Sequence, residues 1–510
     1  MKTLRLILGD QLNSNHSWYE NVDQNVIYLM AEMKQETNYV KHHVQKIIAF
    51  FLSMQNFSNE LISQGHEVNY FKLNDENNKH DLKQIIEDCV LKHKIEKFEY
   101  QFPDEYRLDE QLKAICVSLT IESNVVDSQH FYTTRNELKD FFAGKKLFLM
   151  ENFYRMMRKK HEVLMQGATP EGNQWNFDHN NRKKYTGQVP IPEEINFKKN
   201  VTESILELEK AQIKYFGRVD VDNFVWPISR AECEQMLSYF CKNLLIYFGD
   251  YEDAMHNDQK FLFHSRLSFA MNSKMLSPKE VVDAVVDAYY KNPETITISQ
   301  VEGFVRQILG WREYIRGIYW ANMPNYATKN TLENTNKLPN WYWTGDTKMN
   351  CMSRSINQSL DYAYAHHIQR LMVIGNFSLL TQMHPDQVDA WYLGVYIDAI
   401  EWVEMPNTRG MSQYADGGII ATKPYVSSGA YINKMGNYCT KCHYNVKEKF
   451  GEKGCPFNTL YWNFLDEKRH HFKNNNRMAM MMNLLNKMPP EDLFKIKTKA
   501  QEIIENIESI

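Results

Sequence analysis

Four of the eight cysteines are spaced for metal chemistry. Cys439-Thr440-Lys441-Cys442 is a CxxC pair, Cys455-Pro456 follows after twelve residues, and Cys351 stands apart. In a reducing compartment such thiols hold metal rather than disulfides. Tetrahedral zinc and a cube cluster each take four thiolates. The Cys-Pro step and the remote Cys351 favour iron and sulfur. Cys89, Cys116, Cys233 and Cys241 sit on apolar helical faces and read as packing thiols. A second candidate is the imidazole pair His366-His367: near neutrality histidine exists in both forms, so it can give a proton, although paired histidines on a helix are more often structural. A third is His264-Ser265-Arg266-Leu267-Ser268, followed by Met275-Leu276-Ser277-Pro278, whose hydroxyls and helix-start N–H groups suit either a diphosphate or simple capping. Neither GxGxxG nor GxxxxGK[ST] occurs, which excludes those two phosphate cradles.

The elements that must position these groups fall into three stretches of the 510 residues. Residues 1–130 alternate short apolar runs with helical periodicity: Leu4–Leu8, Asn25–Met30, a helix from Asn38, Glu67–Leu73, then helix and strand pairs around Leu82–Tyr100 and Glu110–Val126. Repeated βα units predict a doubly wound parallel α/β sheet with a ligand site at the strand C-termini. Residues 131–230, broken at Gly167–Gly172 and Val189–Pro192, read as a long connector. From 231 to 510 the periodicity is helical, as in Val281–Tyr290, Glu302–Tyr319 and Ser355–Leu380, and predicts an all-α domain.

A formal charge of −4 argues against a dedicated basic DNA-binding domain, so any nucleic-acid site must be local. Two basic runs qualify: Arg155, Arg158, Lys159 and Lys160, and Arg182, Lys183 and Lys184 near Trp175 and Phe177, with a solvated helix face as the alternative. No apolar run approaches the roughly 20 residues that cross a bilayer, and the N-terminus reads as a first strand rather than a signal peptide, so a cytoplasmic location is expected.

Taken in order, SRLS and LSP, Gly310-Trp311-Arg312-Glu313-Tyr314, Trp343-Thr344-Gly345, His366-His367 and Tyr396-Ile397-Asp398-Ala399-Ile400-Glu401-Trp402 resemble the FAD-binding domain of photolyases and cryptochromes. Gly9-Asp10-Gln11-Leu12, the stretch Glu36–His43 and the four cysteines resemble the iron-sulfur bacterial (6-4) photolyase branch. That resemblance implies FAD held by Ser265, Leu267, Ser268, Gln307, Trp311 and Arg312, with the Arg370 and Asp398 pair and Glu404 beside the isoalloxazine. It implies a [4Fe-4S] cluster on Cys351, Cys439, Cys442 and Cys455, and a 6,7-dimethyl-8-ribityllumazine antenna on Gly9, Asp10, Gln11, Glu36 and Tyr39.

His367, with His366 beside it, would be the proton donor in light-driven repair of a flipped-out lesion in UV-damaged DNA, contacted by Tyr425 and more weakly by Met411, Asp178 and Arg182. Trp391, Tyr392 and Trp343 would feed electrons to the flavin. Eukaryotic (6-4) enzymes carry a second histidine four residues on, where this chain has Leu371, which puts a two-histidine mechanism in doubt. The resemblance leaves two rivals: a cryptochrome-like photoreceptor without repair, and a non-enzymatic DNA-binding module with a structural cluster. A monomer is expected.

Overall fold

A computed structural model describes residues 1–145 and 148–510. Its sheet runs β1 (Thr3–Leu6), β2 (Val26–Ala31), β3 (Glu67–Phe71), β4 (Lys97–Gln101) and β5 (Glu122–Val126), all parallel in the order β3-β2-β1-β4-β5. Alternation explains the two covered faces. Leu4, Leu6, Ile27, Leu29 and Phe98 enter one core with Ile85 and Ile86 of the helix Leu82–His93 and with Leu112 and Ile115 of the helix Tyr106–Ser118. Tyr28 and Met30 point the other way, onto Ile47 and Ile48 of the helix Val44–Ser63, into a core that continues through the helical half of the chain.

The stretch 131–230 carries the helices Glu137–Phe141, Met150–His161 and Thr202–Lys210 and a small hairpin, Met165–Gln166 against Thr169–Pro170. Beyond it the chain is helical. The expected continuous helix Ser355–Leu380 is interrupted: Asn350–Tyr362 ends at Ala363, which adopts a left-handed backbone (φ 50°), and the chain resumes as a π-helical turn, Gln369–Gly375. Three further π-helical turns, Phe240–Leu244, Arg306–Arg312 and Pro406–Ser412, lie inside helical runs. An i→i+5 turn widens the helix and re-aims its side chains, and such turns cluster at functional sites. Ser277 caps the helix Pro278–Lys291 through a reciprocal capping box with Glu280, so the LSP segment is a helix start with its serine already spent.

The two halves are tied by buried charge. Lys274, 1% exposed, places Nζ 2.7 Å from both Asp10 at the sheet and Asp104 after β4. Removing one member of a buried pair leaves uncompensated charge, at a cost of about 3–5 kcal/mol. Lys274→Met is expected to lower stability by about that amount, read from the urea unfolding midpoint; a change under about 1 kcal/mol would show the contact to be dispensable.

Candidate functional site: a buried ion pair, three imidazoles and a cysteine pocket

At the break after Ala363, His366 comes off irregular backbone, His367 opens the helical turn that follows, and Arg370 comes off the π-helical turn. Arg370 grips Asp398 with two parallel bonds, Nη1 to Oδ1 at 2.9 Å and Nη2 to Oδ2 at 3.1 Å, and its Nε donates to the Ala365 carbonyl at 2.6 Å. Burial by itself would raise the Asp398 carboxyl, but the guanidinium overrides it and holds the acid below its usual value. The guanidinium also lies 3.8 Å over the Tyr396 ring. Asn272 donates to the Asp398 carbonyl at 2.7 Å, and Lys46, reaching in from the helix Val44–Ser63, donates to the carbonyls of Leu393 and Ala399, each at 2.7 Å. Burial lowers the Lys46 ammonium to about 8.

His366 is buried and stacks on His264, with ring centroids 4.6 Å apart and planes 12° from parallel. His264 has no counterpart among the donors expected from the sequence, and its spacing from His366 carries no signal. His366 Nδ1 and His264 Nε2 find no protein partner. An unpaired buried nitrogen costs about 1–3 kcal/mol, so both atoms are suited to a bound molecule. Burial first, then the neighbouring imidazoles and Arg370, keep His366 neutral far below its usual pKa, and His264 is pushed down to about 4. His367 is solvent-accessible and shifts in the same direction, by the burial around it and by Arg370. It too is pushed down to about 4, but its exposure makes it the imidazole that a ligand or water can reach.

Glu404 lies buried with Oε1 unpartnered, and its carboxyl is raised well above the usual range by burial first and Asp389 second. In the SRLS stretch Arg266 has φ 58° and Leu267 φ −80°, a left-then-right sequence that turns successive N–H groups to one side, as in anion-binding nests. Ser265 Oγ lies 3.4 Å from the Leu267 N–H, Leu267 is fully buried, and Ser268 opens a short helix beside Asp398. These orphaned atoms and the nest fit a buried flavin with a diphosphate.

The other residues expected around a flavin have protein contacts of their own. Gln307 Nε2 donates to Gly303 O at 3.3 Å, Trp311 packs on Tyr314, and Arg312 is committed to His130, Met271 and Asn272.

Trp391 and Tyr392 are buried within 5.4 Å of each other, and Tyr392 donates to the Arg370 carbonyl at 2.6 Å. Trp343 is 40% exposed. Asp178 bridges Arg182 and Arg306, Tyr425 is partly buried, and Met411 is buried on the turn Pro406–Ser412. In the first basic run Arg158 is internal, while Arg155, Lys159 and Lys160 are exposed. Arg158 is fully buried and donates to the carbonyls of Val163, Trp175 and Leu164, while Arg155 and Lys160 pair with Glu151 and Glu137.

Cys351, Cys439, Cys442 and Cys455 line one apolar pocket with Met349, Ile432 and Val446. Gly429 closes it: a Cβ there would stand 2.9 Å from Cys455 Sγ. Among the described residues no three His, Cys, Asp or Glu side chains stand close enough to hold a single ion. Four thiols around a shared apolar space are the donor set of a thiolate-held metal group, zinc or iron-sulfur.

At the sheet, Gly9, Asp10, Glu36 and Tyr39 line an open cavity of about 150 Å³, which Lys46, Glu105 and Ile400 also line. Gln11 lies beneath it, fully buried, accepting from Leu8 N–H and donating to Gln101 O. Arg107, missed in the sequence, clamps Glu36 through two bonds of 3.1 and 2.7 Å and covers the Tyr39 ring at 4.5 Å.

A carboxyl raised in the fold destabilises it once the unfolded chain ionises, above the ordinary 4.5. Glu404→Gln is therefore expected to raise the unfolding midpoint at neutral pH, with the gain shrinking as pH falls toward 4.5; a gain independent of pH would contradict a protonated Glu404.

The model of the family described as deoxyribodipyrimidine photo-lyase-related protein matches residues 5–226. A (6-4) photolyase of Agrobacterium fabrum is 39% identical over 522 aligned positions that cover all of both chains. In fold, the chain is similar to a bacterial class III photolyase from Agrobacterium tumefaciens (TM-score 0.56, 14% identity, 97% of this chain and 91% of that one) and to a Synechocystis cryptochrome (TM-score 0.52, 12% identity, 85% and 88%). No described helix is long and apolar enough to cross a membrane. The parallel sheet, the helical half around the Arg370–Asp398 pair and the full-length similarity together place the chain in the photolyase/cryptochrome superfamily, in the family of the Agrobacterium fabrum (6-4) photolyase.

Proposed function

We propose that this protein repairs (6-4) pyrimidine photoproducts in DNA with light, as the name of its Agrobacterium fabrum relative describes that protein. The observation that carries the reading is the cluster of partnerless imidazoles, His264 and His366, with accessible His367 beside them and a buried Arg370–Asp398 pair close by. When bound there, reduced FAD would lend the lesion an electron on excitation and take it back once the bond between the bases has broken. Ser265, Leu267 and Ser268 hold its diphosphate, and Gln307, Trp311 and Arg312 support the walls around it. Arg370 and Asp398 set the charge beside its ring, and Glu404, whose carboxyl burial raises well above its usual range, offers a proton.

His367 gives a proton to the lesion as a group moves between the two bases, and recovers it when the bond between them breaks. Arg182, oriented by Asp178, holds a phosphate, and Tyr425 meets the flipped base with Met411 behind it. Trp391 and Tyr392 pass electrons inward, with Trp343 at the solvent side. Cys351, Cys439, Cys442 and Cys455 hold a [4Fe-4S] cluster, and the sheet cavity holds a lumazine antenna. The protein acts as a cytoplasmic monomer, in three parts: a sheet domain over 1–130, a connector and the helical domain from 231.

His367→Ala is expected to abolish photorepair of a (6-4) oligonucleotide while flavin content and DNA affinity stay at wild-type levels. Repair within about tenfold of wild type, corresponding to about 1.4 kcal/mol of barrier, removes His367 from this role. Wild-type protein that repairs only cyclobutane dimers overturns the lesion assignment.

A further inference from the structure

We propose that a run of buried aromatic rings, Tyr396, Trp391, Tyr342, Trp341, Phe377 and Phe457, joins the Arg370–Asp398 pair to the cysteine pocket and carries one electron between them. This rests on the flavin and cluster assignments above. Tyr396 lies under the Arg370 guanidinium at 3.8 Å. From it the ring centroids step to Trp391 at 6.0 Å, Tyr342 at 5.2 Å, Trp341 at 4.9 Å, Phe377 at 5.4 Å and Phe457 at 5.7 Å. Phe457 lines the pocket of the four cysteines.

Aromatic contacts of this kind are common in cores, so contact alone decides nothing. Three features set this run apart. Its two ends fall on the two places suited to redox groups. None of the six rings is more than 3% exposed, so water has little to rearrange as charge passes. Finally, the order of the rings follows their chemistry. Trp391 Nε1 donates to the Tyr342 carbonyl at 3.1 Å and Trp341 Nε1 to the Ile507 carbonyl at 2.8 Å, and a carbonyl dipole aimed at an indole N–H favours the indole radical cation. These two are the stations.

Tyr342 lies between them with its phenol 2.7 Å from Ser378 Oγ, whose own proton goes to the Ile374 carbonyl. Tyr342 therefore donates to a hydroxyl and faces no base. Its proton stays, and its ring bridges without holding charge. Phe377 and Phe457, harder to oxidise still, bridge the last gap. Trp343, the tryptophan expected from the sequence to end the route, stacks on no other ring among the described residues.

The electrons balance as follows. Light-excited oxidised flavin takes one electron from Trp391, Trp341 refills Trp391, and a four-thiolate iron-sulfur cluster refills Trp341. Flavin gains one electron, the cluster loses one, and every ring returns to its starting state with its protons.

The test is flash photolysis of the purified protein with oxidised flavin and iron both confirmed by absorption and metal analysis, following cluster bleaching and its paramagnetic signal. Wild type is expected to show cluster oxidation matching flavin reduction. Trp341→Phe, which keeps a ring in place, is expected to lose it, and Phe377→Leu to slow it. No cluster change in wild type carrying both groups, or an unchanged one in Trp341→Phe, overturns the proposal. A preparation without flavin or iron overturns the assignments themselves, and the proposal with them.

Discussion

The bidentate bond between Arg370 and Asp398 is the constraint on which the rest of this structure turns. Two charges taken out of water cost several kcal/mol each unless their geometry is good and their remaining donors are met. Here both conditions hold: the pair is parallel and close, Arg370 Nε is met by Ala365, and the carbonyl of Asp398 is met by Asn272. Lys46 extends the constraint across the molecule, because its ammonium holds the carbonyls of Leu393 and Ala399 on either side of the Tyr396–Asp398 segment while its backbone belongs to the first long helix of the sheet half. The sheet cavity, which Lys46 also lines, and the imidazole cluster thus share one buried cation. Close packing adds a steric lock, since a Cβ on Gly394 would meet the Lys41 carbonyl at 2.3 Å.

Around that pair, burial sorts the titratable groups by role. The same low-polarity surroundings that keep His264 and His366 neutral keep Glu404 protonated, because each avoids a charge it cannot hydrate. The outcome is a region with one fixed ion pair, neutral donors and acceptors, and a single accessible imidazole. Such an arrangement leaves His367 as the imidazole that can exchange a proton with a bound molecule, with Arg370 the charge that acts on it.

Much of the fold was legible because hydrophobic period is a local property. The alternation in β1 and β2 and the helical spacing of Leu82–His93 both follow from it. The break after Tyr362 was not legible, since Ala363 is a good helix former and only tertiary packing holds it left-handed. Neither were the π-helical turns that aim Arg370 and Arg409, which leave no period in the sequence. Residue type alone misassigned Arg158, whose guanidinium serves three internal carbonyls, and left open whether Ser277 was cradle or cap. The partners His264, Tyr342 and Arg107 were invisible for a simpler reason. Each acts through a neighbour distant in sequence, and spacing along the chain does not report it.

The account stands most directly on where a flavin lies. A crystal structure of the flavin-loaded protein is predicted to place polar atoms of the isoalloxazine within hydrogen-bonding distance of Arg370 or Asp398, with the imidazole of His367 opening onto the same cavity. A flavin seated elsewhere, with that ion pair touching only protein, would contradict it.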